Sequence, residues 1–435
     1  MTMYYLCTMK FLVFVFLSLV CVSYGAAQVS QDSIHTDYVL QKNRNRFDVY
    51  LRDTAVNKAF AQPLDSNSEY DFESACLAVS QFMIQSPQVE AGFNKLFVQY
   101  DSLQYTTKRS FLESIYGLYP GIYENDIRIL SSRETNAKLF AMEAVYLLAN
   151  NASQKNKQTI LGMLQSKFPT AAKNDLLLQL RDYIHYHDAY TKQQIPPVAD
   201  LFAHQELLRQ KTIYSLQRWN RDYPGLAILQ NADGSFCRDS AGKLLVFQQL
   251  ARSASNLPYF ITDGNTPQGV FRITGLETSH NNFLGPTPDI QMLMPFEDDE
   301  AYWGDTFDDN KDALTNYLGL LPVSWQKYTP ITEAFYAGKI GRTAVISHGT
   351  TLNPDYFKGK PYYPISPTLG CLCAKEIWNT YTGKLLESEQ LNMVNAWLST
   401  PGDIGYVIVI NIDNRQMPVS REEVEELVKK FEEGK

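Results

Sequence analysis

The stretch Ser366-Pro367-Thr368-Leu369-Gly370-Cys371-Leu372-Cys373 sets two cysteines one residue apart behind a glycine. The whole chain holds only six cysteines in 435 residues, so this pair asks for an explanation. A disulfide between Cys371 and Cys373 would close too short a loop to be relaxed, and would be labile. A nucleophilic role for Cys371 fits better. Gly370 lets the loop approach closely and aim backbone N–H groups, including that of Cys371, at a developing oxyanion. A free thiol, with a pKa of about 8.5, needs a nearby imidazole to take or hold its proton. His348 can supply it, in Ile346-Ser347-His348-Gly349-Thr350 at the end of an apolar run. A third segment, DGNTPQGVFRI at 263–273, reads as a turn entering a strand.

Outward from these pieces the pattern is β-rich. Short apolar or β-branched runs at 226–229, 244–250, 271–273, 290–294, 345–347 and 406–411 are separated by Gly, Asn, Asp and Pro. They define a domain over 225–415, with one helix expected at 387–398. The N-terminal half has the helical period instead. Phe72, Ala75, Cys76 and Val79 fall on one face, as do Phe93, Leu96, Phe97 and Tyr100. Residues 137–148 are apolar nearly all round, as a central helix would be. Two stretches, Ile160-Leu161-Leu164-Phe168 and Leu176-Leu177-Leu180-Ile184, share one spacing and suggest stacked helical hairpins. Ile195-Pro196-Pro197 ends this region, because consecutive prolines cannot continue a helix. The expected fold class is therefore α+β: a helical domain at 26–197, a linker helix at 198–224, the β-rich domain, and a charged C-terminal helix at 416–435. Ser420-x-x-Glu423 opens that last helix with a capping-box pattern, and the expectation is a solvated end helix.

Composition bounds the partners. A hydrophobic content of 45% with 20% charged residues describes an ordinary folded chain. A net charge of −8 argues against nucleic acid, whose phosphates require a basic face. Residues 1–25 read as an export signal: Lys10, an apolar run at 11–22, then Ser23, Gly25 and Ala26. Cys7 and Cys21 would leave with it, and the four remaining cysteines are too few for a disulfide-built scaffold.

In this order the three segments resemble the L,D-transpeptidase catalytic domain, the YkuD-like family. Thr266-Pro267-Gln268-Gly269-Val270-Phe271-Arg272-Ile273 stands at its TP-x-G-x-F-x-I segment, His348-Gly349 at its strand-end His-Gly, and Thr368-Leu369-Gly370-Cys371 at its nucleophile loop. Gly405–Ile410 suits the family's closing strand, so the resemblance covers about 225–412. It implies a mainly β catalytic domain working outside the inner membrane, in the periplasm or cell envelope, on peptidoglycan stem peptides. Cys371 would attack the acyl centre, His348 would act as general base, Gly349 would orient the imidazole, and Gly370 would shape the oxyanion site. Thr368 would brace the loop, with Leu369 and Cys373 flanking the substrate; as a residue, Cys373 also reads as a small buried side chain or a regulatory thiol rather than a second nucleophile. No metal or organic cofactor is implied. Leu369 stands where the family usually has His, and Cys373 where it commonly has Arg. The wider spacing between His348 and Cys371 suggests an inserted flap at 352–364.

The thioester could be resolved by an amine, giving transpeptidation, or by water, giving an L,D-carboxypeptidase or another peptidoglycan hydrolase. A wall-binding protein without turnover is a third outcome. The helical half would position substrate or meet an envelope partner. His280 is a candidate substrate contact. The acidic run Glu297-Asp298-Asp299-Glu300 could receive a cationic acceptor amine or be a solvated face. A zinc site from Cys371, Cys373, His185 and His187 is the weaker alternative, because its ligands span two domains.

Overall fold

Apolar side chains at helical spacing build the N-terminal half. The helix Glu69–Phe82 buries Phe72, Ala75, Cys76 and Val79 against Phe111, Leu112 and Ile115 of the helix Tyr105–Leu118. The helix Pro87–Gln99 starts at its proline, where a missing N–H costs nothing, and the Ser86 hydroxyl caps it. Its Phe93 meets Phe60, Phe111 and Tyr119 edge to face, with ring centroids 5.9, 5.2 and 5.4 Å away. The helix Ala137–Asn150 runs through the middle, buried without a break from Leu139 to Leu148. Two further helices, Gln154–Lys167 and Asp175–Tyr190, cover it with Ile160, Leu164, Leu176, Leu177, Leu180 and Ile184. The computed structural model describes residues 28–190, 192–402 and 404–435. The expected export signal at 1–25 lies outside the described residues.

The second half is a closed barrel. Its strands in chain order are β1 (Thr212–Arg218), β2 (Gly225–Gln230), β3 (Phe247–Leu250), β4 (Gly269–Glu277), β5 (Asp289–Leu293), β6 (Ser347–His348), β7 (Leu372–Ala374) and, after a hairpin of β8 (Glu376–Trp378) and β9 (Leu385–Ser388), β10 (Gly405–Asp413). Around the barrel they run β1-β10-β4-β5-β6-β7-β3-β2. The pairs β1/β10 and β6/β7 are parallel, and the rest are antiparallel. With the helical half, this makes the chain α+β.

One expectation is corrected here. The helix anticipated over 198–224 stops at Leu207, and β1 begins at Thr212. Every β1 residue is buried, since β10 and β2 flank it and both its faces are covered, so no alternation marks the strand in the sequence. Its polar residues look out of place in a core strand until their partners are seen. Ser215 Oγ donates to Gln249 Oε1 at 2.6 Å, and Gln249 Nε2 reaches Ser347 Oγ at 3.0 Å. Ser347 Oγ in turn donates to Gln390 Oε1 at 3.1 Å. This buried polar chain crosses the barrel interior and fixes β6 from inside.

The C-terminal helix, Arg421–Glu433, has the complete capping box, but it is not free in solvent. Val424, Val428 and Phe431 are buried, Phe431 lying edge to face on Phe202 and Phe236. Fully buried Arg218 bonds Asp413 at 2.8 Å and Glu423 at 2.7 Å and ties this helix to the barrel. The halves also interlock. Leu257, Phe260 and Ile261 of the barrel half sit in the helical core, and Ile34 and Val39 near the described N-terminus pack on Trp378 and Leu385 of the hairpin.

Candidate active site

Cys371 immediately precedes β7, whose parallel partner is β6. The register sets Ser347 against Leu372 and His348 against Cys373. Residues opposite each other in a parallel pair leave the same face of the sheet, and faces alternate along the strand. Leu372 joins the barrel core, while Cys373 packs with Leu250, Phe357, Tyr362 and Ile365 on the other side. His348 therefore shares the outer face with Cys373, and Cys371 enters that strand one diagonal step away.

The loop is held by hydroxyls. Thr368 Oγ1 accepts from Gly370 N at 3.0 Å and donates to the Cys371 carbonyl at 2.8 Å. Thr266 Oγ1 lies 2.9 Å from the Gly370 carbonyl and 3.3 Å from that of Cys371. The Gly370 N–H is thus already engaged. The Cys371 N–H meets no acceptor among the described residues and is the donor left for an oxyanion. Gly370 has φ +113°, and a Cβ there would stand 2.4 Å from Arg342 Nη2 and 2.7 Å from the Gly264 carbonyl. Only glycine fits.

Beneath the loop lies Arg342, 5% exposed. Its guanidinium donates to the carbonyls of Tyr259, of Asn265 at 3.0 Å and of Gly264 at 2.9 Å. Burial lowers its pKa to about 10, while Asp263 and Cys371 favour its charge. The thiol donates to the Ala344 carbonyl at 3.5 Å. Ala344 has φ +60°, an uncommon conformation for a residue with a Cβ, and its N–H is received by Glu297 Oε2 at 2.9 Å. Burial pushes the Cys371 thiol up to about 11, against the opposing pull of Arg342.

His348 is 5% exposed, and burial lowers its pKa, so the imidazole is neutral. Its Nδ1 bonds the Gly349 carbonyl. A carbonyl can only accept, so Nδ1 carries the proton and Nε2 presents its lone pair, as a general base requires. No hydrogen bond joins His348 to Cys371 in this structure. Glu376 supports the turn after His348. Its carboxylate accepts from Thr350 N at 2.9 Å and from Ser388 Oγ at 2.7 Å, and a Cβ on Gly349 would stand 2.2 Å from its carboxyl carbon.

Other expected residues fall elsewhere. Cys373, expected beside substrate, is fully buried because it faces the apolar cluster under the 352–364 segment; burial raises its pKa and leaves it no surface to contact a ligand. Leu369 is 45% exposed at the loop tip. His280 is exposed on a loop whose Asn282 and Phe283 carbonyls receive the hydroxyls of Thr351 and Thr350. In the flap, Tyr356 stacks edge to face on Phe82, and the Tyr362 hydroxyl reaches Met83 Sδ, so these aromatics pack onto the helical half. In the acidic run, Glu297 braces Ala344 and Asp298 caps the short helix Asp299–Trp303. Among the described residues no group of three or more His, Cys, Asp or Glu could hold a metal ion, and the His187 side chain lies outside them. Arg342 and Glu376 had no sequence signal of their own, since each acts on backbone groups that only folding brings near.

No protein-family model, curated protein or solved structure matches this chain. Among the described residues no helix is long and apolar enough to cross a membrane.

Proposed function

We propose that the chain is a cysteine-dependent L,D-transpeptidase, exported to the cell envelope and acting on peptidoglycan stem peptides through a Cys371 thioester. The observation that carries this reading is the pairing of an unengaged Cys371 N–H, behind Gly370 at φ +113°, with a His348 whose Nδ1 proton is fixed. In the proposed step the Cys371 sulfur attacks an acyl carbon, His348 Nε2 takes the thiol proton, and the Cys371 N–H receives the oxyanion. The same proton then goes to the departing amine. A second stem's amine resolves the thioester in transpeptidation, and water does so in the carboxypeptidase alternative. His348 and Cys371 must first close the gap between them, and catalytic hydrogen bonds often tighten only with substrate bound.

A second reading is a wall-binding protein without turnover. The raised thiol pKa and the unmade His348–Cys371 bond favour it.

The test is intact mass after incubation with a carbapenem under reducing conditions, whose ring a family-type thiolate opens to a stable acyl-enzyme. Wild type is compared with Cys371→Ala and Cys373→Ala. One adduct, lost only in Cys371→Ala, is the expected result; with His348 taking the proton, its rate should level off once the imidazole is neutral, whereas a rate that climbs with thiolate toward about 11 would count against His348 as the base. No adduct moves the weight to the binding reading.

A further inference from the structure

The seam between the two halves encloses a cavity of about 550 Å³ that excludes Cys371 from its walls. This is within the usual range for small-molecule sites, roughly 300–1,000 Å³. Trp219 and Tyr259 give it flat apolar walls, and Arg221, Glu333, Asn411 and Thr266 give it polar groups. Two of these polar residues are almost fully buried and under-used. Arg221 is 6% exposed and Asn411 is 2% exposed.

The Arg221 guanidinium has five N–H donors. It makes two hydrogen bonds to protein, at 3.1 Å to the Thr266 carbonyl and at 3.5 Å to that of Arg218. The remaining donors meet no acceptor among the described residues. The Asn411 side-chain oxygen is buried without a partner among the described residues. Buried polar groups are nearly always satisfied, and each one left alone costs about 1–3 kcal/mol. The spare donors of Arg221 and the unpaired oxygen of Asn411, both lining residues of one cavity, point to a ligand that uses them.

Charge narrows its chemistry. Arg221 is the one basic side chain among the described lining residues, and Glu333 and Asp182 are the acids. Phosphate would gain one cation and meet two carboxylates. A simple cation would meet Arg221. A molecule carrying both charges suits both ends, since a guanidinium fork matches a carboxylate and a carboxylate matches an ammonium.

We infer that this cavity binds a zwitterion of free amino-acid to dipeptide size, its carboxylate on Arg221, its ammonium on Glu333 and an N–H on Asn411. The site stands whether or not Cys371 turns over. It is nevertheless close to that loop: Arg221 holds the Thr266 carbonyl, and Thr266 Oγ1 holds the Gly370 carbonyl at 2.9 Å.

The test is saturation-transfer NMR on the full chain at about pH 8, where Glu333 is ionised although burial raises its pKa to about 7, with free L- and D-amino acids and glycyl dipeptides, each at about 5 mM. N-acetylated and C-amidated forms of each serve as probes for the two charges. At least one zwitterion should bind with a Kd below about 1 mM, and either blocked form should bind at least about tenfold more weakly. Arg221→Met should abolish binding. Should that variant fail to fold, Glu333→Gln keeps the acceptor for Gln268 while removing the charge, and should weaken the zwitterion about tenfold without affecting N-acetylated forms. Binding by none of the probes, equal binding by blocked forms, or binding unchanged in both variants overturns the inference.

Discussion

The helical half and the barrel half each bury an extensive apolar core but are held by different chemistry. In the helical half the large side chains contribute volume: Phe93 touches four other rings, and Cys76 is a small buried filler whose thiol burial makes inert. In the barrel half the decisive side chains contribute connections. Arg342 gathers three carbonyls, Thr266 and Thr368 pin the Cys371 loop, and Gln249 and Ser347 bridge the barrel interior. A core of the first kind can exchange one hydrophobe for another of similar size at little cost. The second kind cannot, because each polar group removed leaves another unsatisfied.

The largest expected effects come from one residue of each kind. Phe93→Ala should cost about 3–5 kcal/mol by opening a cavity. Arg342→Met should cost a similar amount, about 3–5 kcal/mol, by stripping three buried carbonyls of their donor. Urea unfolding measures both. Their local consequences should part. In the folded population Phe93→Ala should leave the alkylation rate of Cys371 unchanged, and Arg342→Met should change it, since the loop rests on that guanidinium. Equal disturbance of Cys371 by both would break the distinction between the halves.

A smaller effect sharpens it with glycines. In Gly370→Ala the new methyl meets Arg342 and the Gly264 carbonyl at an unfavourable φ, for a loss of about 2–3 kcal/mol and of carbapenem adduct. Gly162, inside the helix Gln154–Lys167, has open space at its Cβ position. Gly162→Ala should therefore stabilise by about 0.5–1 kcal/mol, since helical backbone suits alanine and the unfolded chain loses freedom. Thermal melts of the two variants should move in opposite directions.

The same contrast explains what the sequence disclosed. Helical periodicity located the buried faces of Glu69–Phe82 and Pro87–Gln99 because those residues bury volume locally. Apolar runs located β2, β4, β5 and β10 for the same reason. β1 was hidden because Ser215 and Gln217 break up its apolar run, and Ser215 finds its acceptor only at Gln249, 34 residues along the chain. At the candidate site, Gly370, Cys371 and His348-Gly349 were visible as residue types with a chemical reason to stand together. Arg342 was not, because nothing near it in sequence shows that its partners will be carbonyls of the 259–265 loop. Cys373 shows the opposite case: the resemblance set it beside substrate, and the pleat turned it away from the barrel core into the apolar cluster under the 352–364 segment.

A pH-dependent effect tests where the two chemistries meet. Arg109 on the helix Tyr105–Leu118 bonds Glu113 at 2.8 Å and reaches across to Asp263 of the barrel half at 2.7 Å. Asp263 precedes Gly264, whose carbonyl holds Arg342, so this contact joins the helical half to the nucleophile loop. Glu113 is 2% exposed, and burial, reinforced by Asp263, raises its pKa from 4.5 to about 8. A carboxyl whose folded pKa is raised keeps its proton longer in the folded protein than in the unfolded chain. Its contribution to stability is complete below 4.5 and is lost as pH rises toward about 8. Across that window stability should fall by at most about 1.4 kcal/mol per pH unit on account of this one group. Glu113→Gln keeps an acceptor for Arg109 and has nothing to ionise. Urea unfolding at several pH values should therefore give curves that approach one another near the acid end and separate toward pH 8, with the variant the more stable. Glu376 and Glu333, raised to about 7, act with the same sign in both proteins and cancel in the difference. Curves that stay parallel throughout would mean that Glu113 is ionised in both states, and that the seam is an ordinary ion pair rather than a place where helical burial imposes a cost on the barrel's polar network.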